Sequence, residues 1–198
     1  MSLPRKHVFL PVLEFSASNF QNADPKYREA SVMSLGVISE GCFEVMKNKL
    51  ESILTIVLQS LKDPEQIVRG AASFTLGQFA EHLRPEIVAH YEIVLPCILD
   101  ALGDVSTEVQ EKKTYYALAA FCEHMGAEIL PYLDPLMGKL LEGLHSNLRE
   151  LQETCMFAIG SAAGAAELAF IPYAEGVLEL MKIFMVLCVS IEIGGCIC

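Results

Sequence analysis

Basic charge is scarce in this chain: 14 lysines and arginines stand against 25 aspartates and glutamates, a formal charge of −11. A surface so short of cations has little to offer phosphate backbones or anionic lipid. This argues against a nucleic-acid or membrane-surface binder and makes a basic protein the natural complement. Charged residues of both signs reach only 20% of the chain, against 53% apolar, which excludes a disordered polar tail. A chain of 198 residues can bury enough surface to fold without metals or disulfides.

Paired cysteines are also missing. The seven, at positions 42, 97, 122, 155, 188, 196 and 198, are odd in number and form no CxxC, and five lie among apolar residues at helical spacing. They read as reduced core thiols in a reducing compartment. Cys196-Ile197-Cys198 has no histidine nearby to complete a ligand set, so no metal and no other cofactor is assigned. Long apolar runs are absent too. The amino-terminal run is cut by Pro11 and Glu14, which is unlike a secretory signal, and residues 154–166 and 183–189 fall short of the roughly 20 needed to span a bilayer. A soluble cytoplasmic or nuclear protein is expected.

The phosphate-cradling patterns GxxxxGK[ST] and GxGxxG do not occur, and the glycine-flanked Ser161 lacks the strand that an esterase nucleophile elbow requires. Strand-like alternation is absent as well. What is present is a repeat. At intervals of 41, 42 and 41 residues, Leu35-Gly36, Leu76-Gly77, Leu118-Ala119 and Ile159-Gly160 fall into one column. Ile38, Phe79, Phe121 and Ala162 follow three residues later, and the small residues Ser31, Ala72, Thr114 and Cys155 precede by four. Those offsets share one helical face. A second column, Phe20, Leu61, Leu102, Leu144 and Met185, precedes the first by 15 or 16 residues, so each unit holds two helices.

Between the columns lie breaker segments around Asp24-Pro25, Asp63-Pro64, Asp104 to Ser106 and Ser146-Asn147. They carry turn and N-cap chemistry. A period near 40 with two helices per unit predicts an all-α, right-handed α-solenoid of HEAT/armadillo-type helical hairpins, about four and a half repeats long. The expected array spans residues 1–187, with repeats at about 7–42, 43–84, 85–125 and 126–166 and a partial one at 167–187, followed by a non-repeat tail at 188–198. Pro11, Pro96 and Pro135 fall within first helices and should bend them. Neither end carries a polar capping repeat, so the chain reads as a segment of a longer array, with a premature or alternative carboxy-terminus at Val189.

The stretch Asp63-Pro64-Glu65-Gln66-Ile67-Val68-Arg69-Gly70-Ala71-Ala72, continuing to Glu81, resembles a central repeat of the importin-β (karyopherin-β) nuclear transport receptors, nearest their importin-four-like branch. Tyr27-Arg28-Glu29-Ala30, residues 35–41 and residues 129–137 add to the likeness, which covers about residues 3–185. The resemblance implies a non-catalytic nuclear import receptor whose superhelix wraps basic cargo proteins, binds Ran-GTP, passes phenylalanine-glycine nucleoporins and shuttles between cytoplasm and nucleus. The family's amino-terminal Ran-binding repeats have no counterpart here. The alternative is a HEAT scaffold subunit of a phosphatase, condensin or microtubule-associated complex.

Glu40, Glu81 and Glu123 share a column five residues beyond the leucine position, broken by Gly164 in the fourth unit. Stacked, they would form an acidic ladder for lysine- and arginine-rich cargo; the plainer reading is a solvated helix end. Val94, Ile98, Leu136 and Leu140 are candidates for a nucleoporin groove between first helices, or equally for packing between the helix layers. His82 and His124 follow two of the ladder acids and read as helix-terminal residues, because catalytic groups must converge whereas repeat-equivalent ones stand apart. Cys122-Glu123-His124 is too sequential to set a nucleophile against a base. Lys112, Lys113 and Arg149, beside Tyr115 and Tyr116, read as local ion-pair partners. No catalytic residue, nucleic-acid site or membrane segment is expected.

Overall fold

The computed structural model describes residues 5–103 and 107–194, with side chains described over 7–103 and 107–182. Every regular element among them is helical. The chain runs through α1 (Arg5–Asn19), α2 (Pro25–Val37), α3 (Ser39–Met46), α4 (Leu50–Ser60), α5 (Gln66–His82) and α6 (Tyr91–Gly103). It continues through α7 (Glu108–His124), α8 (Leu133–Leu144), α9 (Arg149–Ala166) and α10 (Ile171–Gly194). Four hairpins result, α1/α2, α4/α5, α6/α7 and α8/α9. Short 3-10 segments, Lys47–Lys49, Val88–His90, Gly126–Tyr132 and Glu167–Phe170, lead into the first helices that follow. The fold is an all-α HEAT solenoid.

The periodic columns form the core. Leu35, Leu76 and Leu118 have no exposure and Ile159 has 2%. Phe79, Phe121 and Ala162 are equally enclosed, as are Ser31, Ala72, Thr114 and Cys155. Phe20 packs against this cluster, and Leu61, Leu102 and Leu144 lie within it; Met185 lies outside the described side chains. Burying each such chain contributes roughly 1.5–3 kcal/mol, so the repeat period in sequence is the hydrophobic seam of the stack.

Second helices pack against one another far more intimately than first helices do, and the reason is local. A Cβ on Gly36 would sit 2.8 Å from Thr75 Oγ1, and one on Gly77 would sit 2.2 Å from the Tyr116 ring. The hydroxyls caught between helices are satisfied across the repeats: Thr75 Oγ1 donates to the Val32 carbonyl at 3.0 Å, and Ser73 and Thr114 share a bond of 2.9 Å. The row α2, α5, α7, α9 is therefore the more closely packed side of the stack.

Arginines close two of the turns. Arg28 forks onto Asp63 of the next repeat at 2.7 and 2.8 Å and donates to the Asn22 and Ala23 carbonyls of its own turn. Its repeat equivalent Arg69 donates to the Asp63 and Pro64 carbonyls at 2.8 and 2.9 Å and reaches Gln110 of the third repeat. Of the expected caps, Asp24 accepts from the Lys26 N–H with Pro25 opening α2. Asp63 accepts from the Glu65 N–H, although Glu65 itself is the N-cap of α5. Residues 104–106 lie outside the described residues, and Thr107 caps α7.

Three features differ from the sequence reading. First, α2 breaks at Ile38, where the Ser39 hydroxyl donates to the Gly36 carbonyl at 2.7 Å, and the extra helix α3 restarts there. Second, Pro11 and Pro96 lie inside α1 and α6, but Pro135 stands in the first turn of α8. Its missing N–H would be unused there, so it does not bend the helix. Third, α10 runs to Gly194, past the limit expected near 187. Residues 149–182 are long and apolar enough to cross a membrane by length and composition. Glu167, at φ 48°, interrupts that stretch, and α9 packs on α7 and α8.

Candidate functional site

The exposed face of the second-helix row carries a groove of about 310 Å³ between the ends of α5 and α7 and the middle of α9. Glu81, Glu123 and Glu153 line it, together with Tyr116, Phe157 and the small residues Ala119, Ala120 and Thr154. Glu81 and Glu123 are each the penultimate residue of a helix, α5 and α7. Their side chains are 39% and 47% exposed, and that of Glu153 is 56% exposed.

The groove thus unites two members of the expected ladder. Glu40 stands apart, exposed in the first turn of α3, because the break at Ile38 moves it off the end of α2. Gly164 leaves the fourth position of the column empty, and Glu153 supplies the third carboxylate from about three helical turns earlier on α9.

Each carboxylate has a neighbour. His82 Nε2 lies 3.7 Å from Glu81, His124 Nε2 lies 3.8 Å from Glu123, and Arg149 Nε donates to Glu153 at 2.9 Å. Among the lining residues themselves no cation appears, so the groove is a field of negative charge over an apolar floor. His82 and His124 end α5 and α7 as expected. Burial nevertheless pushes the His124 imidazole below its ordinary range, and the Arg84 guanidinium, 3.1 Å from Nδ1, pushes it the same way. A neutral ring bonded across repeats, rather than a dipole-stabilised cation, describes His124.

Tyr116 forms one wall. Its ring lies against Gly77, stacks on Phe74 at 6.2 Å between centroids with planes 27° apart, and its hydroxyl accepts from Gln78 Nε2 at 2.7 Å. Burial, and next a hydrogen bond to the Glu81 carboxylate, hold the proton on that hydroxyl well beyond the usual phenol range. Phe157, across the groove on α9, is 54% exposed. Sequence reasoning missed this pair as a surface. The signal was there, since Phe74, Tyr116 and Phe157 follow one another at 42 and 41 residues, the period of the leucine column.

The proposed nucleoporin residues must be corrected. Val94, Ile98, Leu136 and Leu140 have no exposure at all; they fill the layer between first and second helices and present nothing to a ligand. On the same α6 the outward apolar side chain is Ile93, 53% exposed. Cys122 is 1% exposed, and burial pushes its thiol up to about 12. It forms no thiolate near neutrality and His124 has none to activate. Lys112 donates to Glu150 at 2.7 Å and Arg149 to Glu153, the local ion pairs the sequence suggested. Among the described residues no set of three or more His, Cys, Asp or Glu is disposed to hold a metal; Cys196 and Cys198 lie outside them.

Residues 25–79 match the HEAT-like repeat family. Importin-4 of Mus musculus is 40% identical over 189 residues, covering 93% of this chain and 18% of the relative. Among solved structures, Kap121p bound to the SUMO protease Ulp1p superposes with a TM-score of 0.82 at 27% identity, over 89% of this chain and 17% of that one. A Kap121p variant with three acidic residues changed to lysine, 43 and 42 residues apart, superposes with a TM-score of 0.82 at 26% identity, over 89% and 18%. The chain spans less than a fifth of the length of these relatives.

Proposed function

This chain belongs to the importin-β family, importin-4-like in its HEAT repeats, and on that premise we propose that its second-helix row holds basic segments of cargo proteins for nuclear import. Binding is extended and non-catalytic. Ran-GTP control, contacts with phenylalanine-glycine nucleoporins and shuttling between cytoplasm and nucleus belong to this reading as properties of the whole receptor.

One observation carries it: Glu81, Glu123 and Glu153 converge on a single groove with no lysine or arginine among its lining residues. A lysine- or arginine-rich segment would give charge-assisted bonds to Glu81 and Glu123, whose histidine neighbours stand at 3.7 and 3.8 Å, and would share Glu153 with Arg149. The Kap121p variant, whose three substituted acids stand about one repeat apart as Glu81 and Glu123 do, is consistent with the reading.

The test is fluorescence anisotropy of a lysine-rich peptide against the full chain. Glu81→Lys with Glu123→Lys should weaken binding at least about tenfold, since like charges then face the ligand. Glu40→Lys, outside the groove, should change it less than about threefold. Equal effects of the two variants, or none from the double reversal, would dispose of the groove as the cargo site.

A further inference from the structure

Resting on the basic-segment reading, we propose that the groove among α5, α7 and α9 selects arginine over lysine in the segment it holds. A ladder of carboxylates alone is indifferent to which cation arrives. Here the three carboxylates share their groove with two aromatic rings, and the exposed one, Phe157, is what distinguishes the two side chains.

Tyr116 is a fixed wall. Gly77 leaves room for its ring where a Cβ would intrude at 2.2 Å, Phe74 stacks behind it, and Gln78 holds its hydroxyl at 2.7 Å. Phe157 faces open space, 54% exposed on a helix whose Leu151 and Ile159 are at most 2% exposed and whose Met156 is partly buried against the core. Between the two rings lie the small residues Ala119 and Ala120. At about 310 Å³ the space lies at the small end of ligand clefts, suited to single side chains.

A lysine ammonium is compact and strongly hydrated. It can sit among the carboxylates, but it gains little from the rings. Guanidinium is planar and weakly hydrated, so it can lie flat on Phe157 while its edge forks onto Glu123 or Glu153. Other occupants fit less well. A nucleic acid would meet three negative charges, and an apolar peptide would strip water from the carboxylates without replacing it. Stacking a cation on a partly exposed ring corresponds to about a two- to fivefold preference for each arginine seated.

The probe is a pair of labelled peptides of equal length, one with four arginines separated by glycine and serine, the other with four lysines at the same positions. Both are titrated against the full chain by anisotropy. The arginine peptide should bind about two- to fivefold tighter. Phe157→Leu keeps the apolar bulk and removes the ring. It should bring the two peptides to equal affinity while changing the lysine peptide less than about twofold, with an unaltered thermal melt confirming the fold. Equal affinities in the parent chain, or an arginine preference that survives Phe157→Leu, would overturn the inference and leave the basic-segment reading standing. Failure of both peptides to bind would overturn that reading and this one together.

Discussion

At the scale of single residues, Asp63 joins two repeats through Arg28 and caps the approach to α5. Burial pushes its carboxyl up, but the Arg28 hydrogen bonds and the Glu65 N–H outweigh it, so the pKa lies below the ordinary carboxylate value. A depressed folded pKa means the unfolded chain binds the proton first as acid is added. The stability Asp63 contributes is therefore complete above its unfolded value, roughly 3.9, and is lost as pH falls through the lower folded value. Asp63→Asn should lower Tm near pH 7 by about 2–4 °C, discounted for partial exposure, and should flatten the loss of Tm below about pH 4. Thermal melts from pH 7 to 3 read both. An Asn variant with the parent's full acid slope would remove Asp63 from the account.

Residue scale is also where sequence fell shortest. Val94, Ile98, Leu136 and Leu140 are apolar residues at helical spacing, which a first helix needs for the layer beneath it as much as for any groove above it. Their zero exposure decides the matter, and no local pattern could. Phe157 went unnoticed for the mirror-image reason. An aromatic in a periodic helix reads as core, although Phe157, two residues before the buried Ile159, falls on the opposite side of α9.

At the scale of elements, two glycines make opposite predictions for the same substitution. Gly77 lies under Tyr116 in the middle of α5, and its Cβ would fall 2.2, 2.6 and 2.9 Å from three ring atoms. The ring is pinned by Phe74 and Gln78 and cannot swing away cheaply. Gly77→Ala should therefore destabilise by about 1–3 kcal/mol despite the helix preference for alanine. Gly41, within α3, has nothing within 4 Å of its Cβ, so Gly41→Ala should stabilise by about 0.5–1 kcal/mol. Urea titrations of the two variants should move in opposite directions, and a shared sign would mean that Tyr116 yields more easily than its partners suggest. The hairpins and their seams were legible because burial recurs at a fixed offset. The helix α3 was not, because no proline or Asp-Pro breaker marks the interruption at Ile38 in an otherwise helical run.

At the scale of the molecule, charge and connectivity act on different observables. With a formal charge of −11, self-repulsion opposes the compact state while the same charge attracts basic segments, so added salt should act on the two in opposite senses. Raising NaCl from about 0.05 to 0.5 M should raise Tm and weaken a lysine-rich peptide by about tenfold or more. Weakening without a rise in Tm would place the net charge too far from the fold to matter.

Connectivity makes the stronger demand. Among the described residues the substantial contacts between hairpins join neighbours, and the most extensive is between α5 and α7 in the middle of the array. Stability is then a sum of repeat terms and interface terms, and a weakened middle interface should separate the halves before it unfolds either. Leu118, on α7 with no exposure, stands one turn beyond Thr114, whose hydroxyl shares a bond with Ser73 of α5, and its truncation to alanine should cost about 3–5 kcal/mol. Leu118→Ala should accordingly turn one urea transition into two, or lower the apparent m-value. An equally costly truncation at an end, Phe9→Ala on α1, should leave a single transition displaced to lower urea, because α1 loses only its outermost partner. Hydrogen exchange by mass spectrometry would report which helices open first, with α8 and α9 expected to separate from α4 and α5. A Leu118→Ala variant that unfolds in one step with an unchanged m-value would mean that cooperativity reaches beyond nearest neighbours in this array.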